Sequence, residues 1–463
     1  MAPSFGTSGL RGLVTDLTAP LVADYVHAFL TTLQGCDTLY VGRDLRPSSP
    51  AIAQIICQEA QAAGMHVVAC GALGTPALAL ASMGAGAAAI MVTGSHIPAD
   101  RNGLKFYLPT GEISKADEAA ISAAYAAGLR QTGTQAGRYS KSTAAETRYI
   151  SRYIGAFGST ALNGLRIGVY RHSSVARDTM EHILDGLGAQ VVPLAHSDVF
   201  IPVDTEAVDT DTKAMLAAWC RAHGLDAIAS TDGDADRPML TDATGKMIAG
   251  DVLGVLSARF LGAQAVVTPV SSNDMVRRMP EFDAVHLTRI GSPYVIAGMN
   301  DARHTHAKVV GFEANGGFLL GFEASLDAPL APLPTRDCML PILAPLVAAQ
   351  QAGTSLAALV ADLPACFTAA DRLQEIDRAK AGAFLSTLID DTTGRAAFFA
   401  PFGIIATVDL TDGLRVDFDS GDMVHLRPSG NAPEFRIYAQ SASQTRAEDL
   451  MARAKDAVAA QIA

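Results

Sequence analysis

Three aspartates at alternate positions, Asp232, Asp234 and Asp236, directly follow the predicted strand "LDAIAS". Alternate carboxylates on one short loop can converge on a single cation, and hard oxygen donors suit Mg²⁺ better than zinc. A calcium EF-hand is excluded, because its loop needs Gly at the sixth position and Glu at the twelfth, where this chain has Arg237 and Ala243. A solvated acidic turn is also conceivable, but it leaves three like charges without a counter-cation.

A serine and a lysine frame the second chemical stretch, "MVTGSHIPADRNGLKFY". Ser95 and His96 end a forty-residue run, 60–99, that contains no Asp, Glu, Lys or Arg, and Lys105 follows ten residues after the serine. A hydrolase nucleophile would stand in Gly-x-Ser-x-Gly, and both of those glycines are missing. A metal-bound phosphoryl group on Ser95 makes better use of the distant aspartates, since the cation would neutralise it.

The segment "HLRPSGNAPEFRIY" has the composition of a phosphate cradle. Arg427 and Arg436 flank Ser429, Gly430 and Asn431, so arginine forks, backbone N–H groups and a hydroxyl are available to one anion. A plain Ser-Gly-Asn turn with two surface arginines is the alternative, because turn chemistry favours the same residues.

Two weaker motifs complete the set. Arg11 lies among glycines in "FGTSGLRG", a loop that could approach an anion closely. In "GFEANGGFLLG", Glu313 and Asn315 stand between glycines, and a carboxylate and an amide suit sugar hydroxyls. The alternative for the second motif is a simple connecting loop.

The elements that must position these loops alternate between strand-like and helical patterns. Strands such as "TLYVGRD", "GLRIGVY" and "AQAVVTPV" alternate with helices over three cycles, which predicts repeated βαβ units with ligands bound at the strand ends. The last hundred residues instead predict an antiparallel meander followed by a helix. We therefore predict an α/β protein with three related α/β domains and a C-terminal α+β domain, at 1–145, 146–248, 249–364 and 365–463.

Bulk properties of the 463 residues narrow the function classes. A net charge of −12 argues against nucleic acid as a partner. The charge-free run contains Pro76 and is rich in alanine, so a membrane span is not expected. Six scattered cysteines without a Cys-x-x-Cys pair indicate reduced thiols, and we expect a cytoplasmic protein.

Taken in order, the motifs "FGTSGLRG", "VGRDLRPSSP", "TGSHIPADRNGLKFY", "DGDADR", "GFEANGG" and "RPSGNAPEFR" resemble those of the α-D-phosphohexomutases. The resemblance covers essentially the whole chain and implies the four-domain architecture of that superfamily. It further implies that hexose 6-phosphates and hexose 1-phosphates are interconverted through a phosphoserine enzyme and a 1,6-bisphosphate intermediate. The expected partners are small sugar phosphates, and the enzyme is expected to be a monomer or a dimer.

The resemblance assigns roles to individual residues. Ser95 would carry the phosphoryl group and, with the three aspartates, hold one Mg²⁺ per chain. Lys105 would act as general base, assisted by Arg11 and His96, and a glucose 1,6-bisphosphate type of activator would prime the serine. The implied substrate-binding residues are Arg237, Arg289, Glu313, Asn315, Arg427, Ser429, Gly430, Asn431 and Arg436.

Departures from the superfamily pattern leave the sugar open. Asn315 and Gly317 stand where Ser and His are frequent in the sugar-binding loop. We expect mannose and glucose phosphates, with glucosamine phosphate as the alternative. Two competing hypotheses for the function are a magnesium-dependent sugar phosphatase and a non-catalytic sugar-phosphate-binding protein.

Overall fold

Short apolar runs that end in polar loops form the strands of four main sheets and of one two-stranded hairpin. The computed structural model describes residues 3–6, 9–133, 135–428 and 434–462. Each sheet lies inside one of the four segments predicted above, whose boundaries remain predictions. In the described parts of the chain, no helix has the length and apolarity needed to cross a bilayer.

Sheet 1 has eight strands, with β7 paired to β6 beside the order β1-β2-β6-β5-β3-β4-β8. Its strands are β1 Ser4–Phe5, β2 Leu10–Leu13, β3 Thr38–Arg43, β4 His66–Ala72, β5 Ala88–Val92, β6 Arg101–Leu108, β7 Gly111–Glu112 and β8 Tyr139–Lys141. Its helices are α1 Ala19–Thr32, α2 Ser49–Ala62, α3 Thr75–Gly84, α4 Lys115–Ala126 and α5 Ala144–Phe157. Strands β5, β3, β4 and β8 run parallel, whereas β2 and β6 are antiparallel to their neighbours.

Sheets 2 and 3 repeat this plan with five strands each. Sheet 2 contains β9 Arg166–His172, β10 Gln190–His196, β11 Ala227–Thr231, β12 Pro238–Thr241 and β13 Met247–Ile248, with α6 Arg177–Gly186 and α7 Thr210–His223. Sheet 3 contains β14 Ala265–Pro269, β15 Ala284–Thr288, β16 Val309–Phe312, β17 Phe318–Leu320 and β20 Leu333–Asp337, with the hairpin β18 Ala324–Ser325 and β19 Pro329–Leu330 beside it. The accompanying helices are α8 Gly250–Phe260, a 3₁₀ turn at Asp274–Arg278, α9 Ser292–Ala302, α10 Leu340–Gln351 and α11 Leu356–Ala361.

The same connection recurs in sheets 1, 2 and 3. A buried parallel strand (β5, β11 or β16) leads through a loop into an antiparallel strand (β6, β12 or β17). These three loops contain Ser95, the three aspartates and Glu313, respectively. Strand β6 was not predicted, because six of its residues in a row are buried and polar–apolar alternation is absent.

Sheet 4 is antiparallel throughout, in the order β21-β25-β24-β23-β22. Its strands are β21 Phe367–Gln374, β22 Ile405–Asp409, β23 Leu414–Phe418, β24 Met423–Pro428 and β25 Glu434–Ser441, and its helices are α12 Arg378–Asp390, α13 Thr392–Phe399 and α14 Gln444–Ile462. The predicted meander is β22 to β25. Strand β21 joins it from the far edge and was not predicted.

The apolar core unites the first three sheets and leaves the fourth separate. One continuous cluster includes Met91 of sheet 1, Val169 of sheet 2 and Val310 of sheet 3. A different cluster, around Phe418 and Leu450, belongs to sheet 4 and its helices. The predicted fold class, three related α/β units followed by an α+β unit, is confirmed.

Candidate active site

The three aspartates of the β11–β12 loop lie together. Carboxylate oxygens of Asp232, Asp234 and Asp236 are all within 4.8 Å of one another, and each side chain is at most 1% exposed. Ala235 has a left-handed backbone conformation, with φ of 62°, and the amide of Asp232 donates to the carbonyl of Arg237 at 3.2 Å. The loop is therefore closed tightly enough for alternate side chains to converge.

Buried cations face this cluster. Lys105 Nζ lies 2.5 Å from Oδ2 of both Asp234 and Asp236. Arg336 Nη2 lies 2.8 Å from the same oxygen of Asp236. Burial by itself disfavours the charged form of Asp236, but Arg336, Lys105 and Arg237 outweigh it and lower the pKa of this carboxyl below its ordinary value.

The cluster nevertheless retains binding capacity for a cation. Burial, followed by the charges of Asp234 and Asp236, raises the pKa of Asp232 well above its ordinary value. Among the described residues, the buried Oδ1 atoms of Asp234 and Asp236 have no hydrogen-bond partner. Buried oxygens of this kind normally find a partner, and hard carboxylate oxygens fit a divalent cation such as Mg²⁺ or Mn²⁺.

The β5–β6 loop brings a serine hydroxyl to the same point. Ser95 Oγ donates to Asp232 Oδ2 at 2.5 Å, across 137 positions of sequence, and Ser95 is 1% exposed. Its φ of 56° is left-handed, a strained conformation for serine, and its amide donates to Thr93 Oγ1 at 2.8 Å. His96 Nδ1 lies 3.3 Å from Ser95 Oγ. The hydroxyl is thus held beside the carboxylates by the fold itself.

The buried guanidinium of Arg46 stabilises this strained loop through hydrogen bonds. Arg46, 1% exposed, donates through Nη2 to the carbonyls of Ser95 at 2.8 Å and Ile97 at 2.6 Å, and through Nε to Asp44 Oδ2 at 3.1 Å. A Cβ at Gly94 would lie only 2.6 Å from Arg46 Cζ, so glycine is required there. Arg46 lies in the motif "VGRDLRPSSP", and the sequence alone assigns this residue no role.

Arg11 and His96 also lie against the serine loop. Arg11 Nη1 donates to the carbonyl of Gly94 at 3.2 Å, and burial together with nearby Arg237 lowers the pKa of Arg11 to about 10. Burial, followed by the charges of Arg237 and Arg11, lowers the pKa of His96 well below its ordinary value. His96 is therefore a neutral imidazole at physiological pH.

The β16–β17 loop presents the two predicted sugar-binding side chains. Glu313 is 4% exposed, and its Oε2 lies 3.3 Å from Arg336 Nη1. Asn315 is 7% exposed, and its Oδ1 accepts from the amide of Gly317 at 3.0 Å. Since Arg336 also contacts Asp236, this loop is connected to the carboxylate cluster.

The predicted anion-binding arginines lie where sheets 3 and 4 meet. Arg427 and Arg436 are directly opposite each other on β24 and β25, and each has a carboxylate neighbour: Asp412 for Arg427 and Glu434 for Arg436. Arg427 Nε donates to Asp412 Oδ1 at 2.8 Å, and Arg289 Nε donates to the carbonyl of Thr411 at 3.2 Å. Three further predicted anion-binding residues lie outside the described residues: Ser429, Gly430 and Asn431.

Two contributors to the cluster were missed by sequence reasoning. Thr75, at the start of α3, donates from Oγ1 to Asp234 Oδ2 at 2.6 Å and from its amide to the Asp234 carbonyl at 2.9 Å. Arg336 is a buried charge in the largely buried strand β20. A single arginine within that short strand was the only available signal for Arg336, and Thr75 resembled an ordinary helix start.

The chain matches three consecutive family profiles. They are described as phosphoglucomutase/phosphomannomutase alpha/beta/alpha domain I at residues 2–131, domain II at 147–245 and domain III at 249–367. The chain belongs to the phosphoglucomutase/phosphomannomutase family. It is therefore a phosphohexomutase, an enzyme of the isomerase class, as the sequence motifs predicted.

Individual relatives agree with this family. A phosphomannomutase of Sinorhizobium fredii is 46% identical over 98% of each chain, and one of Salmonella muenchen is 43% identical over 95% of this chain and 92% of that one. Relatives named phosphoglucosamine mutase are more distant, at 28% to 30% identity.

A solved phosphoglucomutase/phosphomannomutase family protein of Burkholderia thailandensis has the same fold. It superposes with a TM-score of 0.80, covering 99% of this chain and 98% of that one, at 21% identity. At this identity the likeness concerns the fold alone.

Proposed function

We propose that this phosphohexomutase interconverts the 6-phosphates and 1-phosphates of mannose and glucose, with Ser95 as the phosphoryl carrier. The contact between Ser95 Oγ and Asp232 Oδ2, at 2.5 Å, is the observation that supports this best. It joins a hydroxyl to a three-carboxylate cluster, which a simple turn serine would not need.

Asp232, Asp234, Asp236 and the phosphorylated Ser95 would hold one Mg²⁺. The three carboxylates converge on a single region, which supports one ion per chain. When bound, Mg²⁺ neutralises phosphate charge and makes the phosphorus more electrophilic.

The chain's own residues arrange the transfer. A hydroxyl of the sugar monophosphate attacks phosphorus, a new P–O bond forms, and the bond from phosphorus to Ser95 Oγ breaks. Lys105 Nζ is an ammonium while Asp234 and Asp236 contact it, and its neutral form would be favoured once those carboxylates hold the cation instead. In that neutral form Nζ accepts the proton of the attacking hydroxyl. In the reverse direction the neutral imidazole of His96, 3.3 Å from Ser95 Oγ, can accept the serine proton, and in the forward direction it returns that proton to Ser95 Oγ as the oxygen leaves phosphorus. Arg11 and Arg237 supply positive charge for the transferring group.

The bisphosphate formed must turn end for end, and a second anion site must then hold the phosphate that does not react. Arg427 and Arg436, facing each other across β24 and β25, are the proposed core of this site, with Arg289 at its border. Ser429, Gly430 and Asn431 remain predicted members. A bisphosphate activator of the glucose 1,6-bisphosphate type would restore the phosphoserine whenever an intermediate escapes.

The preference for mannose and glucose rests on the sugar loop and on the relatives. Glu313 and Asn315 can hold hydroxyls that both hexoses share, since the two sugars differ only at C2. The relatives at 43% and 46% identity are named phosphomannomutases, which favours mannose phosphate over glucosamine phosphate.

Turnover of hexose 1-phosphates by the Ser95→Ala enzyme tests this proposal. Without the carrier, kcat should fall by several orders of magnitude, as it does when a covalent nucleophile is removed. Intact-mass measurement should show one phosphoryl group on the wild-type enzyme and none on the variant. Ser151→Ala, an exposed serine of α5, is the matched control and should keep full activity. Near-normal turnover by Ser95→Ala would refute the phosphoserine route.

The same assay separates a mutase from a phosphatase. A phosphatase would release inorganic phosphate in proportion to substrate consumed, whereas a mutase conserves it and is stimulated by the bisphosphate. Comparison of kcat/KM for mannose, glucose and glucosamine 1-phosphates decides the sugar.

The six cysteines are all free, which supports a reducing compartment such as the cytoplasm.

A further inference from the structure

One guanidinium lies between the carboxylate cluster and the sugar loop. Arg336, on β20, is 4% exposed. Its Nη2 is 2.8 Å from Asp236 Oδ2, and its Nη1 is 3.3 Å from Glu313 Oε2. Asp236 belongs to the loop of sheet 2 and Glu313 to the loop of sheet 3, so a single side chain contacts carboxylates of both.

The position of Arg336 is fixed by its surroundings. Its amide donates to Glu112 Oε1 at 3.4 Å, and that oxygen also accepts from Thr335 Oγ1 at 2.7 Å. The side chain crosses the sugar loop at Gly317, where a Cβ would lie 2.9 Å from Arg336 Cδ. Arg336 thus has little freedom to leave either carboxylate.

The contact with Asp236 decides which carboxylate oxygen remains for a cation. Arg336 and Lys105 both contact Oδ2. Among the described residues, Oδ1 of Asp236 is buried without a hydrogen-bond partner. Arg336 therefore holds the carboxylate in the rotation that keeps Oδ1 available.

We propose that Arg336 is a positioning residue that couples cation binding at the aspartates to the charge of Glu313. When the negative charge of residue 313 is removed, as in Glu313→Gln, the guanidinium has one ionised partner fewer and pairs more strongly with Asp236, in competition with the cation. A change of charge at Glu313 then alters the affinity of the carboxylate cluster for the cation, and by linkage a bound cation alters binding at the sugar loop. The inference rests on the proposed function for the role of Glu313.

A double-mutant cycle tests this coupling without requiring turnover. Mn²⁺ is titrated into substrate-free wild type, Glu313→Gln, Arg336→Lys and the double variant, and unbound Mn²⁺ is measured by electron paramagnetic resonance. All proteins are first brought to the same Ser95 phosphorylation state, checked by intact mass. A lysine ammonium keeps the charge but lacks the fork that spans two carboxylates.

We expect Glu313→Gln to weaken Mn²⁺ binding about fivefold, at the low end of typical coupling between linked sites. In the Arg336→Lys background the same change should alter the affinity less than twofold, because the bridge is absent. Arg336→Lys should also raise KM for mannose 1-phosphate, since Glu313 loses its partner. Arg303→Lys, an exposed arginine of the same unit, is the matched control and should bind Mn²⁺ like wild type.

Equal effects of Glu313→Gln in both backgrounds would overturn the coupling. If circular dichroism shows that Arg336→Lys does not fold, Glu313→Gln alone decides, and an affinity within twofold of wild type overturns the proposal. Wild-type turnover reports on the proposed function separately, so an active enzyme with an additive cycle would reject the coupling alone.

Discussion

Replacement of Lys105 by methionine removes the ammonium that two buried aspartates share. Lys105 is 4% exposed, and its Nζ lies 2.5 Å from Oδ2 of both Asp234 and Asp236. Removing one partner of a buried ion pair costs about 3–5 kcal/mol, because an uncompensated charge stays buried. Methionine is unbranched and flexible enough to fill the space, so the loss is mainly electrostatic. In EDTA we expect the free energy of unfolding to fall by about that amount.

A divalent cation should restore part of this stability. Without the ammonium, Oδ2 of Asp234 still accepts from Thr75 and Oδ2 of Asp236 still contacts Arg336, and both can add to the Oδ1 atoms as ligands. Those Oδ1 atoms have no hydrogen-bond partner among the described residues. Binding at a hundredfold excess over Kd stabilises a folded protein by about 3 kcal/mol. The gain from Mg²⁺ should be larger in Lys105→Met than in wild type, where the ammonium competes for the same oxygens. Turnover should nevertheless fall by about 10²–10⁴, the usual contribution of a general base.

Urea unfolding with and without Mg²⁺ measures the effect. The single tryptophan, Trp219, packs 5.4 Å from the Tyr170 ring in sheet 2, which contains the aspartate loop, so its fluorescence reports on the affected unit. Lys115→Met is the matched control, because Lys115 forms a partly exposed pair with Glu118 on α4. Such a surface pair contributes about 0–1 kcal/mol. Equal stability of the two variants in EDTA, or equal gains from Mg²⁺, would refute the reasoning.

Two further changes probe the scaffold. Gly94→Ala should lower the thermal midpoint and kcat, because its Cβ would meet Arg46 and overpacking costs about 1–3 kcal/mol. In the control Gly382→Ala, in α12, the added Cβ meets no atom within 4 Å, so this variant should be neutral or stabilised by up to about 1 kcal/mol. Equal behaviour of both variants contradicts the prediction. Burial raises the pKa of Asp251 to about 6, so its stabilising contribution is full at low pH and is lost as pH rises through 6. When the pH is lowered from 8 to 5, the free energy of unfolding of wild type, measured in urea, should therefore rise by about 1 kcal/mol relative to that of Asp251→Asn. If the difference between the two proteins does not change with pH, Asp251 does not titrate in this range.

Local sequence patterns account for the parts of the site whose position in the fold was predicted. The aspartates and Ser95 follow buried strands, and parallel strands bring their following loops to one edge of a sheet. This argument needs no knowledge of distant contacts. The alternation of apolar and polar residues along β22 to β25 is likewise a local pattern, and it predicted the meander of sheet 4.

The remaining features depend on contacts between distant segments. Thr75 and Asp234 are 159 positions apart, and Arg46 supports Ser95 from 49 positions away. No local pattern indicates that a buried arginine will find carbonyl groups or carboxylates at such separations. Strand β6 was missed because burial on both faces removes the alternation that reveals a half-buried strand.

The separate core of sheet 4 has a mechanical consequence. Sheet 4 is joined to sheet 3 by polar contacts, such as the amide of Ile290 with Asp412 at 2.9 Å and Gln440 Nε2 with the Ser272 carbonyl at 2.9 Å. Hydrogen bonds of this kind can be exchanged for hydrogen bonds to water at little net cost in free energy. Separation of sheets 1 to 3 would instead expose a continuous apolar core to water. The boundary between sheets 3 and 4 is therefore where the chain can bend at the lowest cost in free energy, and a bend there leaves the serine and the aspartates in register.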